Sequence, residues 1–228
     1  MKLRLNLPAL VAGICAGCAL LSTANAAHAW SHSNTGQWFS TQSGSYILDT
    51  DEWGSSAPVT MYYNSPTNWD LYCNFSGGGV KAYPHTQVNT NVSESSYNIW
   101  AYFNASPGSG TFDLAFDNWD SNGAEYMIWE NWGGGAGPIG GEVASNVYIS
   151  GAGTFNVYSG NDGHECISFL QTSKTNSGTQ SGISSIMGWA YSHGYTHSTY
   201  VDNIQFGYEV SSTSGNQNWT LNSFSAGW

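Results

Sequence analysis

At 228 residues the chain has the length of one domain, and all-β domains of that size are common. Charged residues make up only 8% of it, with four Lys+Arg against fifteen Asp+Glu and a formal net charge of −11. Such a chain repels phosphates, which excludes nucleic acid, anionic polymers and anionic membrane surfaces and leaves neutral or cationic partners.

Lys2 and Arg4, an apolar stretch from Leu5 to about Leu21, and small residues ending in Ala27-His28-Ala29 have the pattern of a secretory signal peptide. The apolar stretch is short and broken by Gly and Pro, which argues against a membrane anchor. The expectation is a signal peptide over 1–29, a secreted protein, and a single domain over 30–228. Cleavage after Ala29 leaves Lys81 and Lys174 as the only basic residues against fifteen acids, a formal charge of −13. Cys73 and Cys166 also remain, and one pair in such a domain is no disulfide framework; whether they meet stays open. The six histidines are scattered, His193 and His197 lack acidic or cysteine partners at ligand spacing, and all are read as surface residues with no metal centre.

Aromatics are 15% of the chain and glycines number 28, which suits short strands joined by turns. In chain order, alternation appears in TFDLAFDNW (111–119), AEYMIW (124–129), NVYIS (146–150), TFNVYSG (154–160) and ECISFL (165–170). A helix is predicted over 179–192, where Ile183, Ile186, Met187 and Ala190 fall at helical spacing. DNIQFGYEV (202–210) reads as the last strand. Many strands, one short helix and a secretion signal predict an all-β jelly-roll sandwich of two antiparallel sheets with an open cleft.

Three of these strands concentrate the carboxylates. Read with period two, Glu125, Met127 and Trp129 share one face, while Tyr126 and Ile128 share the other. Phe112, Leu114 and Phe116 form an apolar face opposite Asp113, Ala115 and Asp117. Ile204, Phe206 and Tyr208 do the same opposite Gln205, Gly207 and Glu209. If the apolar faces pack in the core, three strands each present a carboxylate to one groove. Paired carboxylates in an aromatic cleft are what glycosidic bond cleavage requires: one held protonated to donate to the leaving oxygen, the other ionised to attack or to activate water. Solvent-facing acids of an ordinary acidic protein would show the same alternation, and periodicity alone leaves both open. Trp129 and Trp132 are candidate sugar platforms or core residues, Asp113 is read as a solvated neighbour, and Gly133 to Gly137 as a turn needing positive φ.

Several local segments narrow the choice. GAEYMIWENWGGGAGPIG resembles the nucleophile strand of family 12 glycoside hydrolases, an E-x-M-I-W run followed by G-P-I-G. LAFDNW is similar to that family's preceding strand, GGGVKAYPH to its V-K-(S/A)-Y-P segment, DEWG (51–54) to its early tryptophan segment, and IQFGYEV to its late G-x-E strand. The resemblance implies a β-jelly roll and a retaining double-displacement mechanism on β-1,4-glucans. It assigns Glu125 as nucleophile, Glu209 as general acid/base and Asp117 as supporting aspartate, with Trp53 and Met127 at the sugar. Gln205, Trp129 and Trp132 join them as groove-lining candidates. No cofactor is required, since two carboxylates supply both acid–base and covalent chemistry. The expected partner is a neutral β-glucan polysaccharide, bound by a monomer. The motif DEWG departs from the family's asparagine-rich form, as does VSSTSGNQNW after Glu209. A jelly-roll endo-xylanase and a non-catalytic carbohydrate-binding protein are the alternatives.

Overall fold

The computed structural model describes residues 29–53, 59–195 and 198–228. The expected signal peptide (apart from Ala29), Gly54 and His197 lie outside them. Among the described residues the strands are β1 (His32–Asn34), β2 (Ser40–Ser43), β3 (Tyr46–Asp49), β4 (Thr60–Ser65), β5 (Asn68–Cys73), β6 (His85–Ser93), β7 (Trp100–Ser106) and β8 (Gly110–Asp120). There follow β9 (Glu125–Gly133), β10 (Gly141–Ile149), β11 (Gly153–Asn161), β12 (Glu165–Gln171), β13 (Ser177–Gln180), helix α1 (Ile183–Ser192), β14 (Tyr200–Thr213) and β15 (Gln217–Gly227).

They form the expected sandwich. One sheet has six strands in the order β1-β4-β5-β15-β7-β13, the other nine in the order β10-β11-β12-β9-β8-β14-β6-β3-β2. Pairing is antiparallel except between β9 and β12. The alternating strands β8, β9 and β14 lie together at the middle of the nine-stranded sheet. Their apolar faces, including Phe116, Ile128, Phe206 and Tyr208, join Trp69, Phe103, Trp219 and Phe224 of the six-stranded sheet in one core. Phe206 touches Phe116 at 4.5 Å and Phe103 at 4.7 Å between ring centroids. Each such fully buried side chain contributes roughly 1.5–3 kcal/mol of hydrophobic stabilisation. Two polar atoms of this layer are paired: Trp69 Nε1 donates to Thr86 Oγ1 at 2.9 Å, and the Tyr208 hydroxyl to the Thr220 carbonyl at 3.0 Å. The opposite face of the sheet, with Ala115, Met127, Trp129, Cys166 and Leu170, forms a second, smaller apolar cluster.

Two expectations change and one open question is answered. The helix begins at Ile183 rather than 179, because Ser177–Gln180 is drawn out as β13 by pairing with β7. The strand at 202–210 is not the last, since β15 follows and fills the centre of the six-stranded sheet. Cys73 and Cys166 are both free and buried.

Glu130 marks a slip in the β8–β9 ladder. Trp129 pairs with Ala115 and Asn131 with Leu114, so Glu130 has no partner residue and forms a bulge. Its side chain is 2% exposed, Oε1 has no hydrogen-bond partner, and burial lifts the carboxyl from 4.5 to about 8. A carboxyl raised by folding is stabilising below its ordinary value and costs stability as pH climbs to its folded one. Glu130→Gln should therefore raise the melting temperature at pH 8–9 relative to the parent, with the gain shrinking towards pH 5. Calorimetric scans at both ends of that range test it, and an equal effect at both would exclude an ionisation penalty.

Candidate active site

The register of the three central strands sets the geometry. On β8, Asp113, Ala115, Asp117 and Trp119 project to the face opposite the core. Glu125 of β9 pairs with Trp119 and Met127 with Asp117. On the other flank, Gln205 of β14 pairs with Asp117, Gly207 with Ala115 and Glu209 with Asp113. Glu125 and Glu209 thus face each other diagonally across β8, with an aspartate beside each. Trp53, Asp117, Glu125, Met127, Gln205 and Glu209, six of the eight residues singled out from sequence, line one open recess of about 350 Å³. Trp129 lines an adjoining recess of about 330 Å³ with Asp113 and Glu209. It is 2% exposed, and its indole Nε1 donates to Met127 Sδ at 3.4 Å, which fixes both side chains under the groove. Trp132 lines a third recess of about 510 Å³ with Tyr158, Asn156 and Gln171, and Lys174 Nζ sits 3.9 Å over its ring. The ammonium covers one face of that indole. In the turn that follows, Gly134 and Gly135 adopt the expected positive φ, 62° and 86°.

Burial dominates the electrostatics. Asp117 is held well above the usual carboxylate range, first by desolvation and then by the charges of Glu125 and Glu209, and it hydrogen-bonds Glu125. Asp113 is raised likewise by desolvation and by Glu209, to which it hydrogen-bonds. Glu209 is pushed up to about 7, chiefly by burial, with the hydrogen bond from Asp113 opposing the rise. Four carboxyls in one apolar-floored recess cannot all ionise near neutrality, so two pairs form in which an aspartic acid donates to a glutamate. The phenol of Tyr83, buried beside all four, is also driven well up, first by desolvation and then by their charges, and stays neutral.

Two assignments from sequence are corrected here. Asp113 is not a solvated neighbour: it is 3% exposed, in register with Glu209. Nor are the histidines all on the surface. His85 is buried beneath Tyr83, with ring centroids 4.3 Å apart. His164, in the β11–β12 turn, places Nε2 3.0 Å from Glu125 Oε2. Trp38 was not singled out either, yet it stacks on Trp53 at 6.5 Å and 19°, and both rings are exposed at the cleft's edge. Asp51, at φ 36°, lines the recess beside Trp53, whereas Glu52 turns inward and is buried.

No protein-family model and no curated protein matches the chain. Solved structures do. The xyloglucanase domain of NopAA, a type three effector from Sinorhizobium fredii in complex with cellobiose, is 33% identical, with a TM-score of 0.80 over 86% of this chain and 98% of that one. A family 12 xyloglucanase from Bacillus licheniformis (24% identity, TM-score 0.73, 86% of this chain and 99% of that one) shares the fold. So does Trichoderma harzianum endoglucanase 3 from family 12 (24%, 0.74, 86% and 96%). Fold and neighbours define a β-jelly-roll glycosidase. The chain belongs to glycoside hydrolase family 12.

Proposed function

We propose that the protein is a secreted endo-β-1,4-glucanase that cleaves xyloglucan or cellulose-type glucans with retention of anomeric configuration. The observation that carries this is the pair of glutamate–aspartic acid couples on opposite sides of β8, open to one aromatic-edged recess. In the first step Glu125 attacks the anomeric carbon, the bond to the departing sugar breaks, and Glu209 gives its proton to the departing oxygen. In the second, Glu209 takes a proton from water, the water oxygen bonds to the anomeric carbon, and the bond to Glu125 breaks. Retention calls for carboxyl groups about 5–5.5 Å apart. Asp117 donates to Glu125 and Asp113 to Glu209, so each glutamate is held in position by a neutral neighbour. Met127 and Trp129 floor the site, and Trp53 with Trp38 offers a stacking edge for neutral sugar rings. Gln205, hydrogen-bonded to Gln87 at 3.1 Å, is held for contact with sugar hydroxyls.

Xyloglucan is placed first among substrates because the 33% identical relative is a xyloglucanase. Reducing-sugar release from tamarind xyloglucan, carboxymethyl-cellulose, barley β-glucan and xylan tests the assignment. Cleavage of xylan alone would point to a xylanase, and binding without cleavage to a carbohydrate-binding protein. The pH profile gives a second check. Glu209 must carry a proton to act as acid, so kcat/KM should be high below neutrality and fall as pH rises through about 7. A profile flat to pH 9 would remove Glu209 from that role.

A further inference from the structure

His164 lies where the sequence gives no reason to expect a functional group. It sits in the turn joining β11 and β12, and the parallel pairing of β12 with β9 sets Cys166 in register with Glu125, so the turn reaches the head of β9. The imidazole is wedged between two partners: the Trp119 ring, with centroids 4.8 Å apart, and the carboxylate of Glu125, with Nε2 3.0 Å from Oε2. The ring is partly open to the recess while the carboxylate side chain is 9% exposed. The other groups facing Glu125 are Asp117 from β8, Glu209 from β14, the Tyr83 phenol and the Cys166 thiol from β12, and Asp162 lines the recess from the same turn as His164.

We propose that His164 is a positioning residue for Glu125, donating its Nε2 hydrogen to Oε2 so that the other oxygen is aimed at the anomeric carbon and the carboxylate is stabilised when it leaves. This rests on the reading of Glu125 as nucleophile. When the glycosyl–enzyme forms, Glu125 loses its charge and the hydrogen bond weakens. When water displaces the sugar, the electron pair of the glycosyl–oxygen bond returns to the carboxylate and the bond to His164 strengthens again. A hydrogen bond stronger to the charged than to the esterified form speeds the second step more than the first. Loss of His164 therefore makes breakdown of the intermediate limiting, and kcat and KM fall together. A general loosening of the site would instead raise KM.

The test uses a 2-deoxy-2-fluoro cellotrioside with an activated leaving group, with mass spectrometry of the labelled protein and timed reactivation by cellobiose. The parent is compared with His164→Gln, whose amide reaches Oε2 as a donor, and with His164→Leu and His164→Asn, which lose the contact. The expected result is one sugar on Glu125 in the parent and in all three variants. Reactivation should slow roughly tenfold to a hundredfold in the Leu and Asn variants, the size of a hydrogen bond to a charged group, and stay within about threefold of the parent in the Gln variant. Reactivation of the Leu and Asn variants at the parent's rate would overturn the role of His164 while leaving Glu125 as nucleophile. Absence of label from Glu125 in the parent would overturn both.

Discussion

Glu125→Gln is expected to lower glucan cleavage by more than about 10³-fold, and Glu209→Gln by about 10²–10⁴-fold, with both variants folded. Glutamine keeps the volume and one acceptor of the side chain it replaces, and the recess is built by backbone register rather than by these carboxyls. The two losses should differ in kind. A substrate with an activated leaving group needs no proton, so it should restore the first step of the Glu209 variant and leave the Glu125 variant inert. Small anions should also separate them. In Glu209→Ala, azide should attack the glycosyl–enzyme and give a product of retained configuration. In Glu125→Ala, it should attack the substrate itself and give the inverted one. Full activity in either Gln variant would remove that residue from the mechanism.

Gly207→Ala should cost both stability and activity although it touches no substrate. Gly207 lies in β14 between Gln205 and Glu209, and a Cβ there would stand 2.0 Å from the Pro84 carbonyl oxygen and 2.7 Å from His85 Cα. Both obstacles are at or beside the start of β6, the neighbouring strand, and Pro84 also accepts from Tyr208 N. Backbone cannot rotate aside as a side chain can, so β14 and β6 must part. Overpacking of this kind costs about 3 kcal/mol or more. The displacement falls on the two residues that flank Gly207 on the groove face. Thermal melting should show the destabilisation, and kcat/KM below the melting range should drop by about tenfold or more, since small misplacements of reacting groups are expensive. An Ala variant with parental melting temperature would mean that the approach of the two strands is looser than described.

Six strands of the nine-stranded sheet were legible in the sequence, while its β2, β3 and β6 and the six-stranded sheet were not, for a physical reason. In β8, β9 and β14 one face meets the core and the other a polar groove, which prints alternation onto the chain. In β7 the outward Trp100 and Tyr102 are each over a third exposed while Ala101 and Ala105 face the core, so the outer face is as aromatic as the inner, and in β5 the half-open Tyr72 blurs an alternation that is only six residues long. Glu125, Asp117 and Glu209 could be read because face and motif agreed. Asp113 had the right face, but its burial depends on the glycine turns at 77–79 and 135–137, which line the recess above it from distant parts of the chain. His164 depends on a parallel strand pair across 39 residues, and nothing local in NDGHE announces that contact. Trp38 meets Trp53 only once the β2–β3 hairpin folds back.

The central position of β14 also governs how the molecule must be made. It enters between β8 and β6, two strands completed roughly a hundred residues earlier, and pairs with β6 from Tyr200 to Gly207 and with β8 from Val201 to Thr213. Until residues 200–213 arrive, a nascent chain presents two open strand edges side by side, each a template for a second molecule. Sheets closed by such distant segments assemble slowly. A chain interrupted before residue 200 would therefore be a seed for edge-to-edge aggregation rather than a weakened enzyme.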